Sequence, residues 1–201
     1  MSERVVYDPY DHNVLTVGSA GSGKTFFVKN FIIKSLIASN TSFVIYDYNW
    51  RGYDDLPIPK SHKFETNPQY VYQPINKKMS AFIEFCRHYN NQLNRVMVVE
   101  EVQEYGGTNF MPEIFEDRIR TGRNEGKTTV SITQRPQEIH KAIVSNAEFI
   151  FVFRLGWIND IKVVSSWIGA DPFELKNLPK YHYFQKYKYS DKPSLMKPIT
   201  G

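Results

Sequence analysis

The run Gly18-Ser19-Ala20-Gly21-Ser22-Gly23-Lys24-Thr25 follows the apolar stretch Val14–Val17 and precedes a helix-like stretch from Phe26 to Ala38. It fits the spacing G-x-x-x-x-G-K-[ST], which commits the chain to a strand, a tight anion-holding loop and a helix in that order. Each residue type has a physical reason. Gly18, Gly21 and Gly23 let the backbone turn sharply and bring its N–H groups, with those of Ser19, Ala20 and Ser22, up to phosphate oxygens. The helix that opens near Gly23 adds its positive dipole end to the same place. Lys24 can reach the β- and γ-phosphates, and the Thr25 hydroxyl can ligate Mg²⁺. The expected cofactors are therefore ATP and Mg²⁺. A Gly/Ser-rich turn that merely precedes a lysine would leave the strand and helix on either side without a reason.

A chain of 201 residues suits one α/β domain with a full core, and its 41% apolar and 23% charged residues are ordinary for a globular protein. No run approaches the roughly 18 apolar residues that a membrane span requires, so none is expected. Met1-Ser2-Glu3-Arg4 has no apolar signal core behind it, and the expected location is intracellular. Cys86, the single cysteine, leaves no internal disulfide and no cysteine metal cluster, and its apolar surroundings predict a buried thiol. The net charge of +4 is too small to argue for nucleic acid by itself. The C-terminal part interleaves Lys176, Lys180, Lys186, Lys188, Lys192 and Lys197 with Tyr181, Tyr183, Phe184, Tyr187 and Tyr189. Such a mixture can follow a phosphate backbone. A terminal hairpin with packed tyrosines and solvated lysines accounts for it more simply.

The pattern predicts strands at Val14–Val17, Ser42–Tyr46, Val96–Val99, Thr128–Thr133 and Phe149–Phe153, most of them continuous apolar runs of the kind buried on both faces of a parallel sheet. Helices are predicted over Thr25–Ser39, Met79–Leu93, Pro112–Arg120, Pro136–Val144, Ile158–Trp167 and Pro172–Leu175. The stretch Trp50–Pro74, with Pro57, Pro59, Pro68 and Pro74, reads as irregular, with room for a short strand near Lys63–Glu65. Tyr181–Tyr189 closes the chain as a strand or hairpin. Alternating strands and helices imply a mostly parallel sheet with helices on both faces. One domain over residues 1–201 is expected, the last part from about 180 being a possible appended hairpin or tail.

The chemistry gathers at strand ends. Val96–Val99 delivers Glu100-Glu101 at its carboxyl end, the edge where open α/β sheets bind ligands and where the phosphate loop also lies. Glu100 can hold the Mg²⁺ hydration shell opposite Thr25, and Glu101 can take the proton from an attacking water. Gln134, after the strand ending Ser131-Ile132-Thr133, emerges at the same edge, where a neutral amide can bond the γ-phosphate or the lytic water; a solvated turn glutamine is the equal alternative. Phosphoryl transfer also gains from a guanidinium, which a neighbouring subunit can supply. Arg123 is the first candidate and Arg120 the second; a solvated basic helix end is the alternative for both. Arg135 and Arg154 are weaker, since either could pair with Asp160.

At Thr133-Gln134-Arg135-Pro136 the order of motifs becomes distinctive. The phosphate loop, the strand bearing Glu100-Glu101, Gly122-Arg123 and then this tetrapeptide resemble the FtsK–HerA superfamily of DNA-translocating ATPases, over roughly residues 12–165. The resemblance implies a RecA-like P-loop core and a homo-oligomeric ring, often a hexamer, that pumps double-stranded DNA. It implies Glu100 near the metal, Glu101 as base, Gln134 as γ-phosphate sensor, and Arg120 or Arg123 acting across a subunit interface. Members usually have Asp where Glu100 stands. No barrel domain, membrane anchor or winged-helix reader is expected here, and a bare core of this size looks most like the genome-packaging ATPases of icosahedral viruses with internal membranes, of the Sulfolobus turreted type. Those would act in the host cytoplasm and meet capsid vertex or portal proteins. Gly106-Gly107-Thr108-Asn109 is a candidate flexible pore loop.

Overall fold

A computed structural model describes residues 7–8, 11–50, 52–92 and 95–199. Met1 to Arg4 and Leu93, which entered the expectations above, lie outside the described residues.

Nine strands form one sheet in the order β3-β4-β2-β5-β6-β1-β7-β8-β9. Its centre is β2 (Phe43–Tyr46), β5 (Val96–Val99), β6 (Thr129–Thr133), β1 (Val14–Val17) and β7 (Phe149–Phe153), all parallel. Every residue of these five strands is buried, which is why they appear in the sequence as apolar or β-branched runs, interrupted by Ser131 in β6. Two strands, β3 (Lys60–Ser61) and β4 (Gln69–Tyr72), extend one edge in parallel. On the other edge β8 (Tyr183–Tyr187) runs antiparallel to β7, and β9 (Ser194–Met196) antiparallel to β8. The expected α/β, RecA-like layout with a C-terminal hairpin is the one found.

The helices divide unevenly between the faces. One face packs on a continuous helical run built of α1 (Lys24–Phe27), a π-helical segment (Val28–Ile33) and α2 (Lys34–Ala38), through Phe27, Val28, Ile32, Ile33 and Leu36. The other face packs on α3 (Met79–Asn90), α4 (Glu113–Thr121), α5 (Lys141–Asn146), α6 (Ile158–Ile168) and α7 (Pro172–Asn177). On α3 the buried stripe is Phe82, Phe85, Cys86 and Tyr89.

Three local expectations are corrected. The stretch 50–74 is not uniformly irregular: Gln69–Tyr72 lies between β2 and β3, and the short strand is Lys60–Ser61 and not Lys63–Glu65. Pro68 is tolerated because it stands just before β4 and contributes only its carbonyl, to the N–H of Phe43 at 2.8 Å. The helix expected over Pro136–Val144 is split into a 3₁₀ turn, Pro136–Glu138, and α5. Ile139 between them is extended and bridges to Gly107, and the N–H of His140 donates to the carbonyl of Gly106 at 2.7 Å. That contact also ties down the Gly106–Asn109 segment, in which a Cβ on Gly106 would stand 2.7 Å from Ile143. The terminal aromatics behave as packed hairpin residues: Tyr183 and Phe184 are buried, while Tyr189 is exposed.

Candidate nucleotide site

The parallel centre of the sheet brings the carboxyl ends of β1, β2, β5, β6 and β7 to one edge, and the site is built from the residues just beyond those ends. After β1 the chain makes its sharp turn with Gly18, Gly21 and Gly23 all at positive φ, 158°, 69° and 111°. A Cβ on Gly18 would stand 2.7 Å from both Phe153 Cβ and Ser22 Oγ, so the turn has no room for a side chain there. The N–H of Ser19 donates to the carbonyl of Arg154 at 3.0 Å, and Ser19 Oγ accepts from the N–H of Gly156 at 2.9 Å, so the loop is pinned to the end of β7. Ser22 Oγ is buried without a partner.

Lys24 is 6% exposed, and its Nζ donates to the carbonyl of Ser19 at 2.9 Å. Burial pulls its pKa down to about 8, against the charges of Glu101 and Glu100, which favour the ammonium. Glu100 follows β5, is 5% exposed, and accepts at Oε1 from Thr25 Oγ1 at 3.3 Å and from the Tyr53 hydroxyl at 3.0 Å. Burial first, then the nearby charge of Asp47, pushes its carboxyl up to about 7. Asp47, after β2, is itself fully buried, accepting from the Trp50 N–H at 3.0 Å and Gln73 Nε2 at 3.1 Å.

Glu101 has φ 48° and ψ 49°, a left-handed backbone that costs a non-glycine residue about 1 kcal/mol. Its carboxylate accepts from the amide of Gln134, from Gln103 Nε2 at 2.8 Å and from Asn49 Nδ2 at 3.4 Å. Thr133 Oγ1 in turn donates to Gln103 Oε1 at 2.7 Å and accepts from the Arg135 N–H at 3.0 Å. Side chains thus connect the stretch Thr133 to Arg135 with the acidic pair.

Ala20, Gly21, Gly23, Lys24 and Thr25 line a cavity of about 330 Å³ together with Glu100, Glu101, Gln134 and Asn49. The phosphate loop, the acidic pair and Gln134 therefore meet at one place. Arg120 and Arg123 do not join them. Arg123 Nη1 bonds Glu148 Oε1 at 2.9 Å, just before the amino end of β7 and so on the sheet's opposite rim. Arg120 pairs with Glu116 one turn earlier on α4. Arg135 pairs with Glu138 at 3.1 Å and not with Asp160, and Arg154 is exposed.

Sequence reasoning missed Asp47, Asn49, Tyr53, Gln103 and Tyr181. Asp47 had a readable signal, since it ends a strand at the ligand edge just as Glu100 does. Tyr53 and Tyr181 arrive from loops, and no spacing announces them.

The donor set fits a magnesium nucleotide. A hydroxyl and a carboxylate converge as hard oxygen ligands, a buried lysine stands beside a glycine cradle, and the raised carboxyl of Glu100 is a group a cation would relieve. Among the described residues no cluster of three His, Cys, Asp or Glu side chains could hold a metal alone. Mg²⁺ is usually held by one or two carboxylates with substrate phosphates. No described helix is long and apolar enough to cross a membrane.

No protein-family model matches the chain, and no curated protein sequence matches it. Solved structures do. The genome packaging NTPase B204 of Sulfolobus turreted icosahedral virus 2, in complex with ATP-gammaS, superposes with a TM-score of 0.83 at 21% identity, covering 96% of this chain and 100% of that one. The pCW3 conjugation coupling protein TcpA, with ATPgS, gives 0.63 at 16% identity over 97% of this chain and 62% of that one. The cytoplasmic domain of the Thermomonospora curvata type VII secretion ATPase EccC gives 0.69 at 14% over 98% and 25%. The fold that the motif order implied is shared with these proteins, and the neighbours include a packaging NTPase of the viral type expected.

Proposed function

We propose that the chain is a single-domain ATPase that moves double-stranded DNA as a homo-oligomeric ring, and that its DNA is a viral genome entering a capsid. One observation carries this: Lys24, Thr25, Glu100, Glu101 and Gln134, from three separate strand ends, line a single cavity. Lys24 and the loop amides hold the triphosphate, and Thr25 with Glu100 would hold Mg²⁺ against it. Bound there, Mg²⁺ would supply positive charge against the transferred phosphoryl group. Glu101 accepts the proton of the attacking water, and the Gln134 amide, already bonded to that carboxylate, orients the water or the γ-phosphate. Arg123, with Arg120 second, faces away from its own cavity and serves the nucleotide of the neighbouring subunit. B204, described as a genome packaging NTPase, supports the packaging role, which places the ring at a capsid vertex or portal in the host cytoplasm.

The test is ATP hydrolysis by the purified protein with and without linear duplex DNA at low salt, beside Lys24→Ala. Hydrolysis that requires Lys24 and rises with DNA, falling as salt is added, is the expected result. Hydrolysis indifferent to duplex DNA would favour a nucleotide-gated assembly switch. The TcpA likeness favours a second reading, a plasmid-transfer or helicase-type translocase. DNA packaging by a virus carrying Lys24→Ala separates the two.

A further inference from the structure

A second cavity, of about 240 Å³, adjoins the first and is lined by Phe26, Phe153, Tyr181, Tyr183, Pro198 and Ile199. The two cavities share Gly23, Phe26 and Tyr181 as walls. We infer that this apolar slot takes the base of the bound nucleotide and holds it without reading its edge, so that ATP, GTP, CTP and UTP are bound alike. The inference rests on the proposed seating of the triphosphate at Lys24.

Three observations carry it. First, the slot opens from the phosphate cradle at Gly23, where a Cβ would stand 2.7 Å from Tyr181 Cδ1, so the ring crosses directly over the start of α1. Second, Phe26 and Tyr181 are 45% and 43% exposed, with ring centroids 6.3 Å apart at 43°. Large aromatic surface left open beside an anion site is surface that a ligand's flat, apolar part can cover. Tyr181 is held there from a left-handed backbone, φ 66°, between α7 and β8. Third, the described lining is glycine, aliphatic and aromatic, with two phenol hydroxyls as its only polar side-chain atoms. Strong discrimination between substrates requires buried donors and acceptors matched to one of them. A slot of rings and a proline supplies contact area to any base and no such code.

The experiment measures binding of ATP, GTP, CTP, UTP and inorganic tripolyphosphate to the full chain, to Tyr181→Gly, to Phe26→Ala and to Lys24→Ala. Tyr181→Gly removes the ring and suits the left-handed backbone, and tripolyphosphate binding reports that each variant keeps its fold. The four nucleotides are expected within about fivefold of one another and at least about tenfold tighter than tripolyphosphate. Tyr181→Gly and Phe26→Ala are expected to weaken all four by about tenfold and leave tripolyphosphate unchanged. A preference for ATP over GTP of more than about tenfold overturns the indifference to base. Nucleotide affinity unmoved by both aromatic variants, while Lys24→Ala abolishes tripolyphosphate binding, overturns the slot alone. Tripolyphosphate binding unmoved by Lys24→Ala overturns the phosphate seating, and the slot with it.

Discussion

Thr25 Oγ1 lies 3.3 Å from Glu100 Oε1, although the two residues are 75 positions apart in the chain. The contact joins the first turn after the phosphate loop to the end of β5, and it favours the ionised form of a carboxyl that burial pushes up to about 7. Thr25→Ala should therefore keep nucleotide binding but lower turnover at least about tenfold, with a raised Mg²⁺ requirement, while Thr25→Ser should stay near wild type. Steady-state hydrolysis over a Mg²⁺ titration checks both.

Glu101→Gln keeps an oxygen for its amide partners but loses the proton acceptor. Binding of ATP should survive and hydrolysis should fall by about 10²–10⁴-fold. Single-turnover measurements would show it, and unchanged turnover would remove Glu101 from the base role.

Arg123→Ala tests action between subunits. Arg123 sits at the rim opposite its own cavity with its side chain 47% exposed; its partner Glu148 is buried but also accepts from the Asn13 N–H at 2.7 Å, so it is not left without a donor when Arg123 is removed. Arg123→Ala and Glu101→Gln should each be nearly inactive alone, and mixing them should restore part of the hydrolysis, because a Glu101→Gln neighbour lends its Arg123 to a site that keeps its own Glu101. Full activity of Arg123→Ala alone, or no recovery in the mixture, would exclude Arg123 as the group acting in trans and turn attention to Arg120.

Arg118, unlike Arg120 on the same helix, is buried and structural. It donates to Asn90 Oδ1 at 3.0 Å, to the carbonyl of Thr128 at 2.9 Å and to the carbonyl of Arg95. Arg118→Ala would take their donor from Asn90 Oδ1 and the carbonyl of Arg95, while the carbonyl of Thr128 keeps the Met97 N–H at 3.0 Å; the cost is about 3 kcal/mol, visible as a lower urea midpoint.

Cys86 lies fully buried on α3, and burial pushes its thiol up to about 12. At pH 8 only roughly one thiol in ten thousand is then ionised, besides being shielded. The native protein should resist iodoacetamide and react promptly once unfolded, which mass spectrometry would record.

The sequence disclosed each feature in proportion to how local its causes are. Val96–Val99 and Phe149–Phe153 are covered on both faces, so burial is written into every one of their residues. The phosphate loop was legible because its glycines and lysine answer to local geometry. Gln69–Tyr72 escaped because flanking prolines advertise irregularity, while its strand character comes from pairing with Phe43–Tyr46. Tyr53 could not be foreseen at Glu100, since only the folded loop carries it there. Arg120 and Arg123 looked catalytic from charge and position in the motif order, and only the topology shows that they leave from the far rim.

The carboxylate of Glu101 is grasped by amides from Asn49 and Gln134, residues that follow β2 and β6, the strands flanking its own. A single negative group thus works as a clasp across three separately threaded lengths of backbone. Taking up one proton would slacken the grip on all of them together, so the chemical event and the mechanical one would share the same atom.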